Sequence, residues 1–565
     1  MMVHTIATIH VVIPTHVTIL VHIIIHPVSV HIATGISSHI TVHVTTCISP
    51  HVSIHVTACV SAHVPIHTAI HVFAHISISI AICISLHAII HIATHFILPF
   101  LFCLTLLMYA TILHLLKIFI LVFVEIWGIL LMNLKYKMIS VTNRCDGTEI
   151  HMRNCLVAQS GGPTVAINAS LAGVIQGAID SKQFDTIYGS LNGVQGLLNG
   201  RLMNLSHKVA ETPMFIELLK KSPSMYLGSC RYQLPDYNED DTPYAYIFNK
   251  FKTFEIDAFF YIGGNDSMDT VDKLNTYAKA IGHDIKIIGI PKTIDNDLCV
   301  TDHTPGYGSA AKYVASTLLE IGHDTSIYPI NSVTIVEIMG RDAGWLTGAS
   351  VLARNKYNFA PHLIYLPEVP FVEEEFIEDV KAAMDRYNNV VIAVSEGIKD
   401  KDGKYISATT AVEDTFGHSQ LSGTGKCLEY IIKQNIQVKV RSVEINILQR
   451  SAAHMSSITD IGEAFRLGRH AVDVSLEGKS GVMVTAIRKG NNPYGVDMGD
   501  TDVRNVAGLV KHVPREWINE RGNDVTQEFI DYAYPLILGE PVVKYQRGIP
   551  DYLDVSHLFP NKFDE

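Results

Sequence analysis

Apolar and polar positions follow two different patterns along this chain, and the change falls near residue 152. In residues 1–116, His, Ile, Val, Thr, Ala and Ser nearly alternate, and no Asp, Glu, Lys or Arg occurs. From residue 152 onward, short apolar runs of β type alternate with longer stretches of helical spacing, and Gly, Pro, Asn or Asp separates them. The second pattern is typical of a globular domain, whereas the first is not.

The apolar runs after residue 152 predict alternating strands and helices. Strands are predicted at 155–159, 258–262, 286–290, 333–338, 363–366 and 390–395, helices at 164–180 and 267–281, and the run at 443–450 is also strand-like. Apolar strands separated by helices indicate βαβ units around a parallel sheet. Ligands bind at the carboxyl ends of the strands in such sheets. We therefore predict an α/β fold, with the functional residues in the loops that follow its strands.

Residues 1–151 allow three interpretations. The His-rich tract could bind metal. The second interpretation is a β-rich or membrane-facing segment, and the apolar run at 96–134 is long enough for a membrane-spanning helix. The third interpretation is a low-complexity extension without selected structure, because the tract has no turn chemistry, caps or charges and its uncharged strands would aggregate. It also lacks the basic start of a secretory signal. We favour the third interpretation and expect the globular part of the chain to begin at Met152.

Charge and cysteine content narrow the possible functions. The chain has 43 basic and 55 acidic residues, a net charge of −12, and nearly all of these charges follow residue 151. An acidic domain binds nucleic acid poorly, but it can bind an anionic metabolite where a few basic residues converge. The cysteines after residue 152 show no CxxC spacing, and they are Cys155, Cys230, Cys299 and Cys427. This usage predicts a reducing compartment and no zinc site.

Two glycine-containing loops lie between a predicted strand and a predicted helix. They are SGGPT at 160–164 and GGNDS at 263–267. Glycine lets the backbone approach a phosphate closely, and the N-terminus of the following helix offers unpaired N–H groups. Each loop could equally be an ordinary strand–helix turn, and Asp266 could serve as a helix cap.

The segment PKTIDND at 291–297 directly follows an apolar strand. Asp295 and Asp297 point the same way if the segment stays extended, and two like carboxylates then need a cation or a proton between them. One of them could take a proton from a substrate hydroxyl while the other helps to hold Mg²⁺. Lys292 would supply a positive charge where a phosphoryl group is transferred. The alternative, a solvated charged loop, is disfavoured by the buried strand before it.

Further polar residues follow other strands or turns. They occur in EIMGRDAGW at 337–345, in SEG at 395–397 and in LGSCR at 227–231, and Arg441 and Arg450 flank the run at 443–450. Arg341 suits bidentate contact with a phosphate, and Glu396 could bind a sugar hydroxyl. Each of these residues alone could belong to an ordinary turn, a helix cap or a surface ion pair, so the assignment depends on the whole set.

In order, the motifs SGGPTVAIN, LGSCR, GGNDS, PKTIDND, MGRDAGW, SEG and LQR resemble the phosphofructokinase family from residue 152 to about residue 500. The resemblance implies two Rossmann-like parallel-sheet domains of the phosphofructokinase type, preceded by a non-globular N-terminal extension. The implied parts are the extension at 1–151, a phosphoryl-donor-binding domain at 152–308, a fructose 6-phosphate domain at 309–449, and a return to the first domain with a C-terminal extension at 450–565.

The resemblance also implies a role for each matching residue. Asp295 is expected to deprotonate the 1-hydroxyl of the sugar, with Lys292 and Asp266 as the other catalytic residues. The residues expected to bind fructose 6-phosphate are Thr293, Ile294, Asp295, Met339, Gly340, Arg341, Glu396, Arg441 and Arg450. Those expected to bind diphosphate are Gly161, Arg231, Asp266 and Lys292, and those expected to bind Mg²⁺ are Asn265 and Asp297.

Two positions concern the phosphoryl donor. Family members that use ATP typically have Gly at the positions of Asp266 and Lys292, whereas members that use pyrophosphate resemble this chain. Asp266 would place a negative charge where ATP carries its α-phosphate, and Lys292 would bind the smaller, denser anion. The resemblance therefore implies a reversible, Mg²⁺-dependent glycolytic transfer from diphosphate to fructose 6-phosphate, giving phosphate and fructose 1,6-bisphosphate. An ATP-dependent 6-phosphofructokinase is the alternative.

Three positions depart from the family pattern. Asn265 replaces an Asp metal ligand, Ser332 replaces an Arg that reaches the neighbouring subunit's active site in bacterial ATP enzymes, and Ile447 replaces a substrate-binding His. Arg441 is then the remaining candidate for part of the 6-phosphate site. We expect a cytoplasmic homo-oligomer, either a dimer or a tetramer, that binds no nucleic acid and whose enzyme part binds no membrane.

Overall fold

The computed structural model describes residues 154–407 and 423–559 in full, together with the backbone of short strands elsewhere. The chain divides into two compact units, Met1–Gly147 and Thr148–Glu565. In the first unit, β1 (Ala7–Val12) pairs antiparallel with β2 (Thr18–Ile23), and β3 (His39–Ser49) pairs antiparallel with β4 (Val52–Ser61). The apolar run at 96–134, for which a membrane span was one interpretation, lies outside the described residues.

The strands and helices of the second unit alternate along most of its length. In chain order, the strands are β5 (Asn154–Gln159), β6 (Thr186–Ser190), β7 (Leu202–Asn204), β8 (Ile256–Gly263), β9 (Lys286–Pro291), β10 (Ser332–Ile338), β11 (Leu363–Tyr365), β12 (Asn389–Ser395), β13 (Val412–Glu413), β14 (Ser419–Gln420), β15 (Lys439–Glu444), β16 (Val482–Asn491), β17 (Tyr494–Asp502), β18 (Tyr545–Gln546) and β19 (Ile549–Pro550). The α-helices are α1 (Ile167–Ser181), α2 (Gly193–Leu198), α3 (Leu205–Glu211), α4 (Phe215–Lys221), α5 (Thr242–Thr253), α6 (Asn265–Ala280), α7 (Tyr307–Ser326), α8 (Trp345–Ala349), α9 (Glu373–Met384), α10 (Thr424–Asn435), α11 (Leu448–Ser451), α12 (Ile458–Leu476) and α13 (Gln527–Ala533).

The larger sheet of the second unit has the strand order β17-β16-β9-β8-β5-β6-β7. Its five central strands are parallel, and β7 and β17 are antiparallel strands at its two edges. Strand β16 pairs with β9, although all the strands of the smaller sheet lie between them in the sequence. The larger sheet is therefore completed by a segment that lies far away in the sequence.

The smaller sheet has the order β11-β12-β10-β15, and all its strands are parallel. The α/β fold with two parallel-based sheets is thus confirmed. The predicted strands from β5 to β12 match the observed ones to within two residues at each end. Among the described residues, we find no helix with the length and apolar character required to cross a membrane.

Both faces of the larger sheet are buried. In β5, Cys155 and Val157 pack into one apolar cluster, whereas Leu156 and Ala158 pack into another. This alternation follows from the two-residue period of a strand. A central strand that is covered on both faces needs apolar residues at every position, which explains the continuous apolar runs in the sequence.

Two predicted boundaries were wrong. The first helix begins at Ile167 instead of residue 164, because the Thr164 hydroxyl oxygen accepts a hydrogen bond from the Ile167 N–H at 3.0 Å and Thr164 thus lies before the helix. The strand-like run at 443–450 is a strand only as far as Glu444. Asn446 has a φ of 46°, a left-handed conformation that ends a strand, and α11 follows.

Candidate active site

Three motif loops lie side by side at the carboxyl end of the larger sheet. Neighbouring strands carry them, because β8 lies between β5 and β9. The Ser160 N–H donates to the Ile262 carbonyl at 2.9 Å, and the Lys292 N–H donates to the Gly263 carbonyl at 2.9 Å. These bonds extend the sheet into the loops, so that SGGPT, GGNDS and PKTIDND meet at one edge as the parallel topology predicts.

The ammonium group of Lys292 points into the SGGPT loop. It donates to the Gly162 carbonyl at 2.8 Å, and the residue is only 3% exposed. Gly161 has a φ of 82°, and a Cβ atom there would lie 3.0 Å from Lys292 Nζ. Burial lowers the pKa of Lys292 to about 8, although nearby Asp295 opposes this shift. The site thus holds a desolvated cation beside a glycine loop, which suits an anionic ligand.

Asp295 lies in a loop that hydrogen bonds hold on both sides. The Thr293 hydroxyl oxygen accepts from the Asp295 N–H at 3.1 Å, and the Thr304 hydroxyl donates to the Thr293 carbonyl at 2.8 Å. The buried Asn296 has a φ of 56°, and its amide donates to the Tyr532 hydroxyl at 2.7 Å. The condition under which Asp295 and Asp297 would point the same way, an extended segment, is therefore not met, because Asn296 makes a left-handed turn between them.

The two carboxylates of this loop are nevertheless electrostatically coupled. Burial raises the pKa of Asp295, although Arg341, Lys292 and Arg450 oppose this shift. Burial, and then the charge of Asp295, raises the pKa of Asp297 to about 7. Two buried like charges raise each other's pKa unless a cation lies between them. The pair therefore favours a bound cation or a shared proton.

The loops that follow β10 and β12 in the smaller sheet form one substructure. The Glu396 N–H donates to the Ile338 carbonyl at 2.9 Å, and the Glu396 carboxylate accepts from the Gly340 N–H at 3.4 Å. A Cβ atom on Gly397 would meet the Arg341 carbonyl oxygen at 1.8 Å, so only glycine fits there. Burial, and then the charge of Asp295, raises the pKa of Glu396 to about 8. The charges of Glu396 and Asp295 thus influence each other, although the two residues follow strands of different sheets.

Arg450 lies where the two sets of loops meet. Its Nη1 atom would be 3.0 Å from a Cβ atom on Gly162. Burial lowers the pKa of Arg450; Asp295 opposes this shift, and nearby Arg231 adds to it. The preceding residue, Gln449, accepts a hydrogen bond from the Met339 N–H at 3.4 Å. The LQR motif therefore supplies both a cation and a contact to the MGR loop.

The loop that carries Arg231 is fixed against the SGGPT loop. The Ser229 hydroxyl donates to the Gly161 carbonyl at 2.6 Å, and the Asn192 amide donates to the Ser229 carbonyl at 3.0 Å. Four cations thus converge on one region, and they are Arg231, Lys292, Arg341 and Arg450. This arrangement can bind a phosphorylated sugar beside a second phosphate and can stabilise negative charge on a group transferred between them.

The phosphofructokinase family profile matches residues 154–475, which is more than half of the chain. The chain belongs to the phosphofructokinase family. It is 39% identical over 404 residues to a protein of Rhodospirillum rubrum named pyrophosphate--fructose 6-phosphate 1-phosphotransferase, with 70% of this chain and 95% of the relative covered. A protein of the same name from Methylococcus capsulatus is 35% identical over 409 residues, with 72% and 96% covered.

A solved structure gives the same family. The pyrophosphate-dependent phosphofructokinase of Marinobacter aquaeolei superposes with a TM-score of 0.64 at 35% identity, with 71% of this chain and 95% of that chain covered. The phosphofructokinase match thus extends over nearly the whole length of these relatives, and the residues before 152 lie outside the family profile.

Arg441 is a predicted site residue that does not lie with the other predicted site residues of the same chain. It lies on β15 opposite Thr334, whose hydroxyl accepts from Arg441 Nε at 3.2 Å, and it forms an ion pair with Asp324 at 3.3 Å. Thr334 precedes the end of β10 by four residues, which corresponds to about 13 Å along a strand. Arg441 is therefore separated from Arg341, which follows that end of the strand.

The amide of Asn265 is engaged with a distant part of the chain. Its oxygen accepts from the Gly508 N–H at 2.6 Å, and its nitrogen donates to the Leu509 carbonyl at 2.7 Å. The next residue, Asp266, is exposed in the first turn of α6, where its charge is felt by Lys292. The N-cap position of α6 is Gly264, so Asp266 is not the N-cap residue.

One half-buried cation near the site was not predicted from the sequence. Lys511 donates from its ammonium group to the Asp302 carbonyl at 2.8 Å and from its backbone N–H to the Asp297 carbonyl at 2.7 Å. Burial lowers the pKa of Lys511 to about 8, and the nearby carboxylates of Asp302 and Asp297 oppose this shift. Lys511 lies outside all the recognised motifs, so no local pattern could have indicated it.

Proposed function

We propose that this chain transfers a phosphoryl group from diphosphate to the 1-hydroxyl of fructose 6-phosphate and that the reaction is reversible. The products are phosphate and fructose 1,6-bisphosphate, a step of glycolysis. The observation that carries the proposal is the buried ammonium of Lys292 inside the SGGPT loop, 2.8 Å from the Gly162 carbonyl. The names of the relatives at 35% and 39% identity support the same reaction.

The donor preference rests on Asp266 and Lys292. Asp266 would repel the α-phosphate of ATP by its charge and its volume, whereas diphosphate has no such group. Lys292 would compensate the higher charge density of diphosphate. The Gly161 backbone and Arg231 complete the proposed donor site, because the Ser229 hydroxyl links their two loops. The names of the relatives favour this reaction over the alternative function, that of an ATP-dependent 6-phosphofructokinase.

Asp295 is the proposed general base. It would take the proton of the sugar 1-hydroxyl as that oxygen bonds to the terminal phosphorus and the bridging P–O bond breaks, which releases phosphate. Burial raises the pKa of Asp295 above its usual value, and such a shift makes a carboxylate a better base. Lys292, Arg341 and Arg450 surround this carboxylate and would stabilise the charge of the transferring group.

The site residues fit Mg²⁺ as a cofactor. Asp295 and Asp297 form a half-buried pair of carboxylates with raised pKa values, which a divalent cation would neutralise. Within residues 154–407 and 423–559, no cluster of three metal-ligating side chains occurs, and Mg²⁺ is commonly held by one or two carboxylates together with substrate phosphates. When bound, Mg²⁺ would screen the charge of diphosphate. We propose Asp297 as a ligand of Mg²⁺. The Asn265 amide oxygen already accepts a hydrogen bond from the Gly508 N–H, so it could bind Mg²⁺ only through its second lone pair.

Fructose 6-phosphate would bind between the two sets of loops. Arg341 and Arg450 would bind its phosphate, Glu396 would accept from or donate to a sugar hydroxyl, and the backbone of Met339 and Gly340 would line the site. Thr293 and Ile294 lie next to the base and would contact the sugar. These roles follow the sequence expectation, and the convergence of the MGR, SEG and LQR loops supports them.

Arg441 would act in the site of a second copy of this chain. It lies on β15, an edge strand of the smaller sheet, with its side chain 48% exposed. Exposed apolar residues lie close to Arg441 in the fold (Tyr328 and Ile330) or follow it closely in the sequence (Val443, Ile447 and Leu448). An exposed apolar patch beside an edge strand is suited to association. We therefore propose a homo-oligomer in which Arg441 contacts a partner's substrate.

The proposed domain division follows the sequence expectation. Residues 152–308 would bind the donor, residues 309–449 would bind fructose 6-phosphate, and residues 450–565 would return to the donor side. The pairing of β16 with β9 supports this return. The four cysteines Cys155, Cys230, Cys299 and Cys427 are free thiols, which supports the proposed cytoplasmic location.

The deciding experiment uses a chain that begins at Met152. Its specific activity is measured with fructose 6-phosphate and either diphosphate or ATP, beside the full-length chain. We expect the short chain to be active with diphosphate and to prefer it over ATP. A preference for ATP would overturn the donor assignment. If the short chain were inactive and the full-length chain active, the interpretation of residues 1–151 as dispensable would be wrong.

A further inference from the structure

We propose that residues 508–513, here named the 508–513 strap, fix the spacing between the three motif loops GGNDS, PKTIDND and MGRDAGW. Within the strap, Lys511 is a positioning residue for Asp295 and Asp297. The strap follows β17 and lies beyond residues 154–475, which the family profile covers. Because Asp295 and Asp297 act in the reaction proposed above, the role of Lys511 rests on that proposed function.

The first contact of the strap is with the GGNDS loop. The Asn265 amide bonds the strap in both directions: its oxygen accepts from the Gly508 N–H at 2.6 Å and its nitrogen donates to the Leu509 carbonyl at 2.7 Å. Such a pair of bonds fixes both the position and the direction of the strap backbone relative to α6. The start of the strap is therefore held at the loop that carries Asp266.

The second contact is with the segment that follows Asp295. The Lys511 N–H donates to the Asp297 carbonyl at 2.7 Å. Its ammonium group donates to the Asp302 carbonyl at 2.8 Å and to the Thr301 carbonyl at 3.2 Å, and it reaches the Asn296 amide oxygen at 3.4 Å. Lys511 thus bonds residues on both sides of a turn whose left-handed conformation begins directly after Asp295.

The third contact is with the MGRDAGW loop. The Lys511 carbonyl accepts from the Trp345 indole N–H at 2.8 Å. Two residues further, the Val513 N–H donates to the Glu368 carboxylate at 2.9 Å, and the same oxygen accepts from the Gly344 N–H at 2.9 Å. The strap therefore bonds directly to Trp345, the last residue of the MGRDAGW loop. Through the Glu368 carboxylate it is also linked to Gly344, the residue before Trp345.

The charge of Lys511 is unusual for a purely structural link. The acceptors of its ammonium group are uncharged, because they are two backbone carbonyls and an amide oxygen. Removing a cation from water is costly even where the residue is half-buried, and a neutral donor could have made the same bonds at a lower cost. The positive charge is felt by Asp297. Lys511 therefore has two roles. Its hydrogen bonds order the turn that follows Asp295, and its positive charge lies near the carboxylate of Asp297.

The experiment compares Lys511→Met with Lys489→Met in the Met152-start and full-length chains. Methionine keeps the length of the side chain but removes its charge and donors. Lys489 is a matched control, because it is a 58% exposed lysine that pairs with Asp497 on the β16–β17 hairpin. We expect Lys511→Met to lower kcat about 10- to 100-fold in both reaction directions, the effect of a small misplacement of reacting groups. The KM values for diphosphate and fructose 6-phosphate should change less than about threefold, and Lys489→Met should behave as wild type.

A second pair of variants separates positioning from loss of stability. Tyr532→Phe removes only the hydroxyl that donates to the Asp302 carbonyl and accepts from Asn296, and it should lower kcat severalfold. Val513→Ala removes buried apolar volume from the strap but leaves its backbone bonds in place. A folded Lys511→Met enzyme with wild-type kcat would overturn the proposal. The proposal would also be overturned if Val513→Ala and Lys511→Met lowered Tm equally and lowered kcat equally, because loss of stability would then explain both.

The same measurements separate this proposal from the proposed function. If Asp295→Ala stays active, the assignment of the base fails whatever the Lys511 variants do. If Asp295→Ala is inactive and Lys511→Met keeps full turnover, the reaction assignment stands and the strap proposal fails. A variant of Lys511 that does not fold leaves Tyr532→Phe to decide, since that change is nearly isosteric.

Discussion

A Cβ atom on Gly161 would lie 3.0 Å from the ammonium nitrogen of Lys292, so the glycine loop and the buried cation share one narrow space. The backbone of Gly161 also has a φ of 82°. The space between these two residues is where the proposed donor anion would bind, and both its shape and its charge are therefore testable.

Gly161→Ala should raise the KM for diphosphate and leave the KM for fructose 6-phosphate nearly unchanged. The new methyl group displaces the Lys292 ammonium, and the left-handed conformation costs about 1 kcal/mol with a side chain. Gly282→Ala is the matched control, since it has a φ of 66° but no atom within 4 Å of its Cβ position. Equal effects of the two substitutions on the KM for diphosphate would contradict the donor site.

The donor preference should depend on Asp266 and Lys292 together. Asp266→Gly should raise kcat/KM for ATP and lower it for diphosphate, because it removes a charge and opens space for the α-phosphate. Lys292→Ala should lower turnover with diphosphate about 10²-fold or more, since the cation acts mainly as the phosphoryl group moves. Steady-state kinetics of both single variants and the double variant with each donor provide the test.

The two effects should not add, because both residues lie in one site. An Asp266→Gly enzyme that gains no activity with ATP would mean that ATP is excluded elsewhere. A wild-type enzyme that prefers ATP would refute the donor assignment itself.

Asp295→Ala should lower kcat about 10²- to 10⁴-fold, the usual effect of removing a general base. The binding of fructose 6-phosphate should largely survive, because Arg341 and Arg450 are untouched. Initial rates over a range of fructose 6-phosphate concentrations give the split between kcat and KM. If the KM rose steeply while kcat stayed constant, Asp295 would be only a binding residue.

Arg441→Ala and Asp295→Ala should complement each other if active sites are shared between copies. Each variant alone should be nearly inactive. A random mixture of the two refolded or co-expressed chains should regain about a quarter of the wild-type activity for a symmetric dimer, because only mixed dimers contain one intact site of two. Activity of the mixture that stays at the level of the separate variants would contradict the partner role of Arg441.

His303 should make the stability of the enzyme depend on pH. Burial opposes its protonation, but its hydrogen bonds to the Asp302 and Glu463 carboxylates, at 2.8 Å and 2.6 Å, raise the pKa of His303 above its usual value. The folded state thus binds this proton more tightly than the unfolded state. The resulting stabilisation is fully present below the unfolded pKa of about 6.5 and is lost as the pH rises through the raised pKa.

His303→Gln should accordingly lower Tm most below pH 6.5, and the difference from wild type should narrow at higher pH. Thermal unfolding from pH 5.5 to pH 9 provides the measurement. His454→Gln, at an exposed histidine, is the control and should change Tm little at any pH. A Tm difference for His303→Gln that is independent of pH would contradict the paired, protonated histidine.

The sequence predicted the fold well where burial dictates the residues. Strands such as β8 and β9 must be apolar at successive positions because both faces are covered, and this requirement is visible without a structure. The glycine and aspartate motifs were predicted to meet because parallel strands end at the same edge of a sheet. The convergence of Lys292, Arg341 and Arg450 around Asp295 agrees with that reasoning.

The remaining features depend on contacts between distant segments. The left-handed turn at Asn296 depends on bonds to Thr304 and Tyr532, and Tyr532 lies more than two hundred positions away. The position of Arg441 depends on the register between β15 and β10, which no motif encodes. Lys511 is a single lysine in a segment without periodicity, and only the folded chain brings it beneath the PKTIDND loop.

The late arrival of β16 has a consequence for protein synthesis. Met483 pairs with Gly289 of β9, and Gly173 of α1 packs so closely on α12 that a Cβ atom would meet the Phe465 carbonyl oxygen at 2.1 Å. The larger sheet thus needs partners that leave the ribosome long after its first strands. Until they emerge, the edge of β9 and one side of α1 remain uncovered on the growing chain. Catalytic competence is therefore acquired only near the end of translation, and a prematurely terminated chain would present the cell with an open sheet edge instead of a smaller working enzyme.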